Sequence, residues 1–239
     1  MNIDIIIIIF FTSIIQSIFG TGVLLLGTPL LLLNDYSFQS SLVILLPTSI
    51  LINLFQLKNK LKKVELFFYK KLLIYTIPLI IIFLYLISIN PVNINQVIGA
   101  FLLIIGLKDV IPIINKSLNI AIKYESIYLL FTGIVHGISN LGGALLSAIV
   151  FSKNLSKEQT RATIALSYLT FALFQIITLT AFGEGSHFFN LTNSLYWFLG
   201  LAVFFTIEKF LYFKINENTY TNIFAFFLFF IGFFLIIKK

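Results

Sequence analysis

Cysteine is absent from this chain, and charged residues are scarce. The 239 residues contain no cysteine, which excludes disulfides, thiolate metal sites and cysteine nucleophiles. Only 10% of the residues are charged, whereas a soluble domain carries roughly 25%. The chain therefore lacks the polar surface that a soluble fold requires. The sequence also lacks the G-x-x-x-x-G-K-[ST] motif of ATP-binding loops and the HExxH motif of zinc proteases.

Long apolar runs make up most of the chain instead. The sequence is 59% hydrophobic with a mean hydropathy of +1.04, and it includes runs such as IDIIIIIFFTSIIQSIF and FAFFLFFIGFFLII. Apolar stretches of about 18 residues or more predict transmembrane helices. The N-terminal MNID has no basic region typical of a cleavable signal peptide, so the first run is expected to stay as a span. The pattern predicts an all-α membrane protein embedded in a lipid bilayer.

The apolar runs predict eight transmembrane spans. The first is too long for one straight helix across about 30 Å of hydrocarbon. It contains Gly20, Gly22, Gly27 and Pro29, so we expect it to be broken, steeply tilted or re-entrant. The fifth span is also expected to be broken. The predicted spans are 3–33, 40–57, 72–89, 97–114, 127–151, 162–182, 195–213 and 221–237.

The basic residues predict the orientation. With eight spans, the connections on the side of the termini carry about twice as many Lys and Arg as those on the other side. The positive-inside rule then places both termini in the cytoplasm. For the same reason, the net charge of +7 indicates membrane topology and not nucleic-acid binding.

The two halves of the chain resemble each other at a shift of 120 residues. At this shift Gly22 matches Gly142, and the pair Leu25-Leu26 matches Leu145-Leu146. Phe55-Gln56 matches Phe174-Gln175 at a shift of 119. We therefore predict two repeats, 1–120 and 121–239, within one integral membrane domain. Four spans in each repeat would make the repeats parallel.

Polar residues occupy the middle of the fifth span, FTGIVHGISNLGGALLSAIVF (131–151). A helix broken inside the bilayer exposes backbone N–H groups that suit an anion. Ser139 and Asn140 are typical N-cap residues for a second half-helix. Thr21 takes the equivalent place in the first repeat. His136 is the one titratable side chain expected deep within a span, where such groups are functional candidates.

We predict an anion site between the repeats, without a metal or another cofactor. Two alternatives stay open at this point: the glycines pack helices, and His136 is a neutral residue bonded to a neighbouring helix. Arg161, at a predicted helix start, is interpreted as a loop residue at the membrane interface. The predicted substrate-binding residues are Gln16, Ser17, Gly20, Thr21, Gly22, Thr48, Ser49, His136, Ser139, Asn140, Gly142, Gly143 and Thr163.

Three segments resemble the TauE/SafE family of membrane transporters, also called the sulfite exporter family. FGTGVLLLGTPLLL (19–32) and HGISNLGGALLSAIVF (136–151) resemble its two glycine-rich motifs, and KEQTRATIALSYL (157–169) resembles the stretch after the second. The resemblance covers essentially the whole chain. It implies a secondary transporter in the bacterial plasma membrane whose substrates are sulfite, sulfoacetate or related sulfonates.

The favoured function is a permease that moves a small anion by alternating access, with a proton or a sodium ion as the candidate coupling ion. The alternatives are a transporter of another small solute or ion, and a channel or partner subunit. The sequence lacks the catalytic residues that an intramembrane enzyme would use, because no mid-span carboxylate, no cysteine and only two histidines are present. The sequence does not determine the oligomeric state.

Overall fold

The computed structural model describes residues 2–90, 93–107, 110–181, 191–211 and 217–238, and within these ranges every regular element is helical. This agrees with the predicted all-α class. The α-helices are α1 (Ile3–Phe19), α2 (Val23–Leu33), α3 (Phe38–Leu57), α4 (Leu66–Tyr75), α5 (Ile77–Ile89), α6 (Asn95–Gly106), α7 (Pro112–Lys123), α8 (Glu125–Ser139), α9 (Gly142–Phe151), α10 (Lys157–Leu179), α11 (Leu191–Leu211) and α12 (Glu217–Ile237). A 3₁₀ turn covers Leu61–Lys63.

Three helices in the described ranges are long and apolar enough to cross a membrane by themselves. They are α3, the nearly continuous pair α4–α5 (66–89) and α10. The consecutive helices α7 and α8 would count as a fourth candidate, although they are bent by 114° at Tyr124. These helices support an integral membrane protein with three or four candidate spans among the described residues.

Residues 2–36 form a helical hairpin, which we call hairpin A. The Tyr36 hydroxyl, just after α2, donates to the carboxylate of Asp4 in the first turn of α1 at 2.7 Å. The Asn2 side chain donates to the same Tyr36 oxygen at 3.0 Å. Near the tip, Gly22 packs directly on the Thr12 carbonyl of α1. The predicted interruption of 3–33 is therefore found at 20–22, and it takes the re-entrant form.

Residues 124–153 form a second hairpin, hairpin B. Glu125 begins α8, Lys153 follows α9, and their side chains form an ion pair. Along the hairpin, the Tyr128 hydroxyl donates to the Leu145 carbonyl at 3.0 Å. The prediction that 127–151 crosses the membrane once is wrong, because α9 returns to the end of the bundle at which α8 begins.

Glu125 is also bound by Lys71 of α4 at 3.0 Å, so it joins hairpin B to the neighbouring helix. Burial alone would raise the pKa of the Glu125 carboxyl. The ammonium groups of Lys153 and Lys71 outweigh this effect and lower the pKa below its ordinary value. The carboxylate therefore stays charged and holds the open end of hairpin B together.

The two hairpins open at opposite ends of the bundle. Hairpin A opens where α3 begins, and α3 runs for 20 residues to the connection that carries Lys63. Lys63 pairs with Glu158 of α10 at 3.4 Å. We call this end, with Lys63, Lys71 and Lys153, the lysine-rich end, and the end with Asn2, Tyr36 and Lys238 the terminal end. Because each half begins with a hairpin that returns, the reason for expecting parallel repeats no longer holds.

The hairpins are held by long helices from the other half of the chain. Helix α1 of hairpin A packs on α11, and α8 of hairpin B packs on α5. Helices α3 and α10 lie side by side between them and bury most of their residues. Lys238 donates to the Leu32 carbonyl at 3.0 Å and to the Leu33 carbonyl at 2.6 Å, which satisfies the C-terminal end of α2.

The fourth predicted span is shorter than expected. Helix α6 ends at Gly106, and α7 occupies most of the stretch 107–126 that was expected to be a loop. Pro112 begins α7, where a missing N–H costs nothing. Residue 182 of the sixth predicted span and residues 212–213 of the seventh lie outside the described residues.

The hairpin geometry predicts which positions share a membrane face. Because the chain has no cysteine, single variants Tyr124→Cys and Ser152→Cys should react with an impermeant maleimide from the same side, together with Lys62→Cys. Asn34→Cys should react from the opposite side. Labelling of intact spheroplasts and inverted vesicles measures this. Reaction of Tyr124→Cys and Ser152→Cys from opposite sides would show a crossing and contradict the hairpin.

Candidate functional site

The tips of the two hairpins have the same backbone geometry at positions 120 residues apart. Gly20 ends α1 with φ of 75°, and Asn140 ends α8 with φ of 61°, both in the left-handed region. The Gly20 N–H donates to the Gln16 carbonyl and the Asn140 N–H to the His136 carbonyl, each at 2.8 Å. Glycine and asparagine are the residues that most readily end a helix in this way. Each reversal is therefore encoded locally.

Asn140 does not cap the following helix, so its predicted role as an N-cap is wrong. It is the C-cap of α8, and α9 begins after Leu141, which provides no side-chain cap. The Ser139 hydroxyl donates to the Val135 carbonyl at 2.6 Å and accepts from the Leu141 N–H at 3.3 Å. The left-handed conformation at Asn140 redirects its side chain towards neighbouring helices.

Glycine at the starts of α2 and α9 allows each hairpin to close. A Cβ atom on Gly22 would lie 2.7 Å from the Thr12 carbonyl oxygen, and one on Gly142 would lie 2.7 Å from that of Thr132. A Cβ on Gly143 would overlap the Tyr168 hydroxyl. These contacts support the packing alternative for the three glycines, while their predicted contact with substrate stays a prediction.

A chain of buried side chains joins hairpin B to hairpin A. His136 Nε2 and Gln175 Oε1 lie 3.2 Å apart, and Gln175 Nε2 donates to Asn140 Oδ1 at 3.2 Å. Asn140 Nδ2 then donates to the Thr28 hydroxyl of α2 at 2.8 Å. All four side chains are completely buried. We call these four residues the bridging network.

A second network lies within the first half of the chain. Gln16 Oε1 accepts from the Val23 N–H at 2.9 Å, so a side chain already satisfies the first N–H of α2. Gln16 Nε2 donates to Asn53 Oδ1 at 3.4 Å, and Asn53 Nδ2 donates to the Ser49 hydroxyl at 3.1 Å. Gln16 and His136 thus take matching places, each contacting a long helix through its side chain.

Several buried side chains retain polar atoms without a partner among the described residues. Among them are His136, through Nδ1, and Gln56, through both amide atoms. Such a buried atom costs about 1–3 kcal/mol when it is left unsatisfied. Native proteins rarely tolerate this cost without a ligand, water or ion. The unpartnered atoms of His136 and Gln56 are therefore candidate contacts for a polar ligand or a water molecule.

Several predicted site residues lie outside both networks. The Thr163 hydroxyl accepts from the Glu65 N–H at 3.0 Å near the lysine-rich end. The Thr48 methyl packs against Gly200 of α11, and the Ser17 hydroxyl donates to the Ile14 carbonyl at 2.6 Å. Thr21 is buried at the tip of hairpin A. The structure thus gives these four residues contacts apart from the two networks, and their role in substrate binding stays a prediction.

Sequence reasoning missed Thr28 and Glu208 and misjudged Arg161. Arg161 is the only arginine of the chain, and only 8% of it is exposed. It pairs with Glu208 of α11 at 2.6 Å, so its interpretation as an interfacial loop residue is wrong. The sequence offered one signal for Arg161, namely that it is the only arginine among many lysines. A guanidinium in such a chain indicates a specific geometric role.

Known protein families provide one match to this chain. The model of the family described as Sulfite exporter TauE/SafE matches residues 5–235, which covers hairpin A, hairpin B and the helices between and after them. The curated proteins and the solved structures contain no match.

The glycine contacts predict unequal effects of the same substitution at Gly22, just before α2, and at Gly27 within α2. Gly22→Ala should lower the free energy of unfolding by about 1–3 kcal/mol, as overpacking does, because its Cβ would meet rigid backbone atoms. Gly27→Ala is the matched control, since its Cβ would meet only the terminal methyl groups of Leu45. Thermal unfolding of the purified variants measures both. Equal losses would contradict the tight closure of hairpin A at Gly22.

Proposed function

The chain belongs to the TauE/SafE sulfite exporter family, and we propose that it is a secondary transporter of a small sulfur-containing anion such as sulfite or an organosulfonate. Membership of a transporter family is consistent with a protein that is not an enzyme. The bridging network is the observation that carries this proposal. It is the one described place where polar side chains of both hairpins meet in a fully buried position.

We propose that the anion binds at the bridging network. Amide N–H groups of Asn140 and Gln175 and the hydroxyl of Thr28 are neutral donors that suit the oxygens of an oxyanion. Without substrate they bond to one another. His136 Nε2 faces Gln175 Oε1, an acceptor, so Nε2 carries the ring hydrogen and Nδ1 is an acceptor that does not bind the anion. An entering anion takes over the amide and hydroxyl donors, so binding replaces hydrogen bonds instead of leaving polar groups unsatisfied.

We infer that the two halves are inverted repeats. Support comes from the identical caps at Gly20 and Asn140 and from the exchange in which α1 packs on α11 and α8 on α5. A hairpin returns to the side from which it enters, and three crossings end on the opposite side. If each half contributes one hairpin and three crossings, the two halves therefore have opposite orientations in the membrane. Inverted repeats with interrupted helices at the midplane are a common construction of secondary transporters.

This arrangement suits alternating access. Hairpins that enter from opposite ends and meet at one shared network each close the site from one side. Movement of one hairpin relative to the other opens the network to one face at a time. A proton or a sodium ion is the candidate coupling ion for accumulation against a gradient.

The same geometry changes the proposed orientation. The connections 58–63 and 152–157 and the whole of α7 lie at the lysine-rich end, whereas the terminal end carries only Lys238 among the described basic residues. The positive-inside rule then places the lysine-rich end in the cytoplasm. We therefore propose that both termini lie on the outer face of the bacterial plasma membrane. The cytoplasmic assignment of the termini depended on counting both hairpins as crossings.

Transport of radiolabelled sulfite into proteoliposomes tests the function. The wild type should accumulate sulfite above the external concentration when an ion gradient is imposed. Asn140→Gly should lower initial uptake by about 10- to 100-fold, because one hydrogen bond to a charged ligand contributes about 1.5–3 kcal/mol. Glycine retains the left-handed turn at position 140, so the loss is specific to the amide.

Asn119→Ala on the exposed helix α7 is the control, since its amide bonds only to Asn115. A wild type that merely equilibrates sulfite would indicate a channel, and one that moves no sulfur anion would overturn the proposed substrate class. Full uptake by Asn140→Gly would leave the function and remove the bridging network as its site.

A further inference from the structure

A buried ion pair lies beside the tip of hairpin A, apart from the bridging network. The Arg161 guanidinium contacts Glu208 of α11 at 2.6 Å and donates to the Ser17 carbonyl of α1 at 3.5 Å. The side chains of Arg161 and Gln56 both approach Gly20, each to 3.9 Å from the position a Cβ would take. Three helices and the hairpin tip therefore converge on one charged corner.

The exposure of this pair is unequal. Arg161 exposes 8% of its side chain and Glu208 24%. A guanidinium this buried needs an anionic partner, because desolvation of an uncompensated charge costs several kcal/mol. The more exposed Glu208 supplies that partner. Arg161 is thus fixed in place, while the carboxylate is the member of the pair that is free to leave.

Gln56 supplies the independent sign that a ligand belongs in this corner. Its side chain is 3% exposed, and neither its oxygen nor its nitrogen has a partner among the described residues. The Gln56 amide nitrogen and the Arg161 Cγ each lie 3.9 Å from the position of a Cβ on Gly20. A neutral amide donor and the side chain of Arg161 therefore both line the tip of hairpin A.

We propose that Arg161 and Gln56 bind the anionic substrate at the tip of hairpin A, and that Glu208 is an internal counter-ion which the substrate displaces. This inference rests on the proposed function and adds a second, charged station to the same transport path. A sulfur oxyanion presents two oxygens to a guanidinium as a carboxylate does. Exchange of Glu208 for substrate therefore keeps Arg161 paired in both states.

The charged groups on the neighbouring helices show which carboxylate can exchange with the substrate on Arg161. On α10, Lys157 and Glu158 lie one turn before Arg161, and Glu158 pairs with Lys63 at the surface. Helix α1 carries one charged group, Asp4, at the opposite end of the bundle. The described side chains of α3, α5 and α11 otherwise include no acidic group. Glu208 is thus the carboxylate that competes with an incoming anion.

The test compares three variants of the full chain in detergent by calorimetric titration with sulfite and, separately, sulfate, at constant pH and ionic strength. Glu208→Gln removes the competitor and should tighten binding of the transported anion at least tenfold. Arg161→Gln should remove the binding event whose affinity depends on Glu208, while binding at the bridging network remains. Glu158→Gln is the matched control, because it removes a carboxylate one turn away on α10 that does not touch Arg161, and its affinity should equal that of the wild type.

The outcomes separate this inference from the proposed function. If the wild type transports sulfite but Glu208→Gln binds it no better, or Arg161→Gln binds it unchanged, the inference is overturned and the function stands. If the wild type neither transports nor binds a sulfur anion, both fall. Should a single variant fail to fold, the charge-free pair Arg161→Gln with Glu208→Gln replaces it. Wild-type affinity in that double variant overturns the inference.

Discussion

A reversal of the backbone at two buried hairpin tips is the constraint on which this structure depends. A buried polar group needs a partner within the protein. Gly20 and Asn140 meet this need with left-handed caps, in which their N–H groups donate to the carbonyls of Gln16 and His136. Side chains of the long helices α3 and α10 then contact the two tips, through Asn53 and Gln175. Burial of both turns therefore depends on these two helices.

The same constraint explains why polar side chains gather where they do. Asn140 ends α8 with its backbone in the left-handed conformation. This turn directs the Asn140 side chain towards Thr28 of α2. Gln16 satisfies the start of α2, while its counterpart His136 turns to Gln175. In the first half of the chain, the Gln16 side chain thus bonds within hairpin A. In the second half, His136 retains a ring nitrogen, Nδ1, for additional contacts.

Composition and motifs predicted the membrane class, the helical fold, the family and the interruption at 20–22, because each depends on local apolar content or on glycine. The return of 127–151 was not predicted. The left-handed cap at Asn140 makes the turn, and the pairing of Glu125 with Lys153 closes the open end. A pairing between two polar residues that flank an apolar run leaves no trace in hydropathy. An error in that one segment reverses everything placed after it.

The candidate site was predicted in part. His136, Asn140, Gln16 and Ser49 belong to the observed networks, whereas Thr163 bonds to Glu65 and Thr48 packs against Gly200 outside them. Glu208 was missed because a carboxylate near the end of an apolar run resembles an ordinary interfacial residue. Only the approach of α11 to α10 in three dimensions shows that it faces the single arginine.

The contacts of Lys238 have a consequence for biosynthesis. Lys238 binds the carbonyl end of α2, while the backbone N–H of Asn2 donates to the Tyr196 hydroxyl. Because a ribosome makes the chain from its N-terminal side, hairpin A is synthesised long before Tyr196 and Lys238. Hairpin A therefore has to wait for residues about 160 and 200 positions later before these contacts can form.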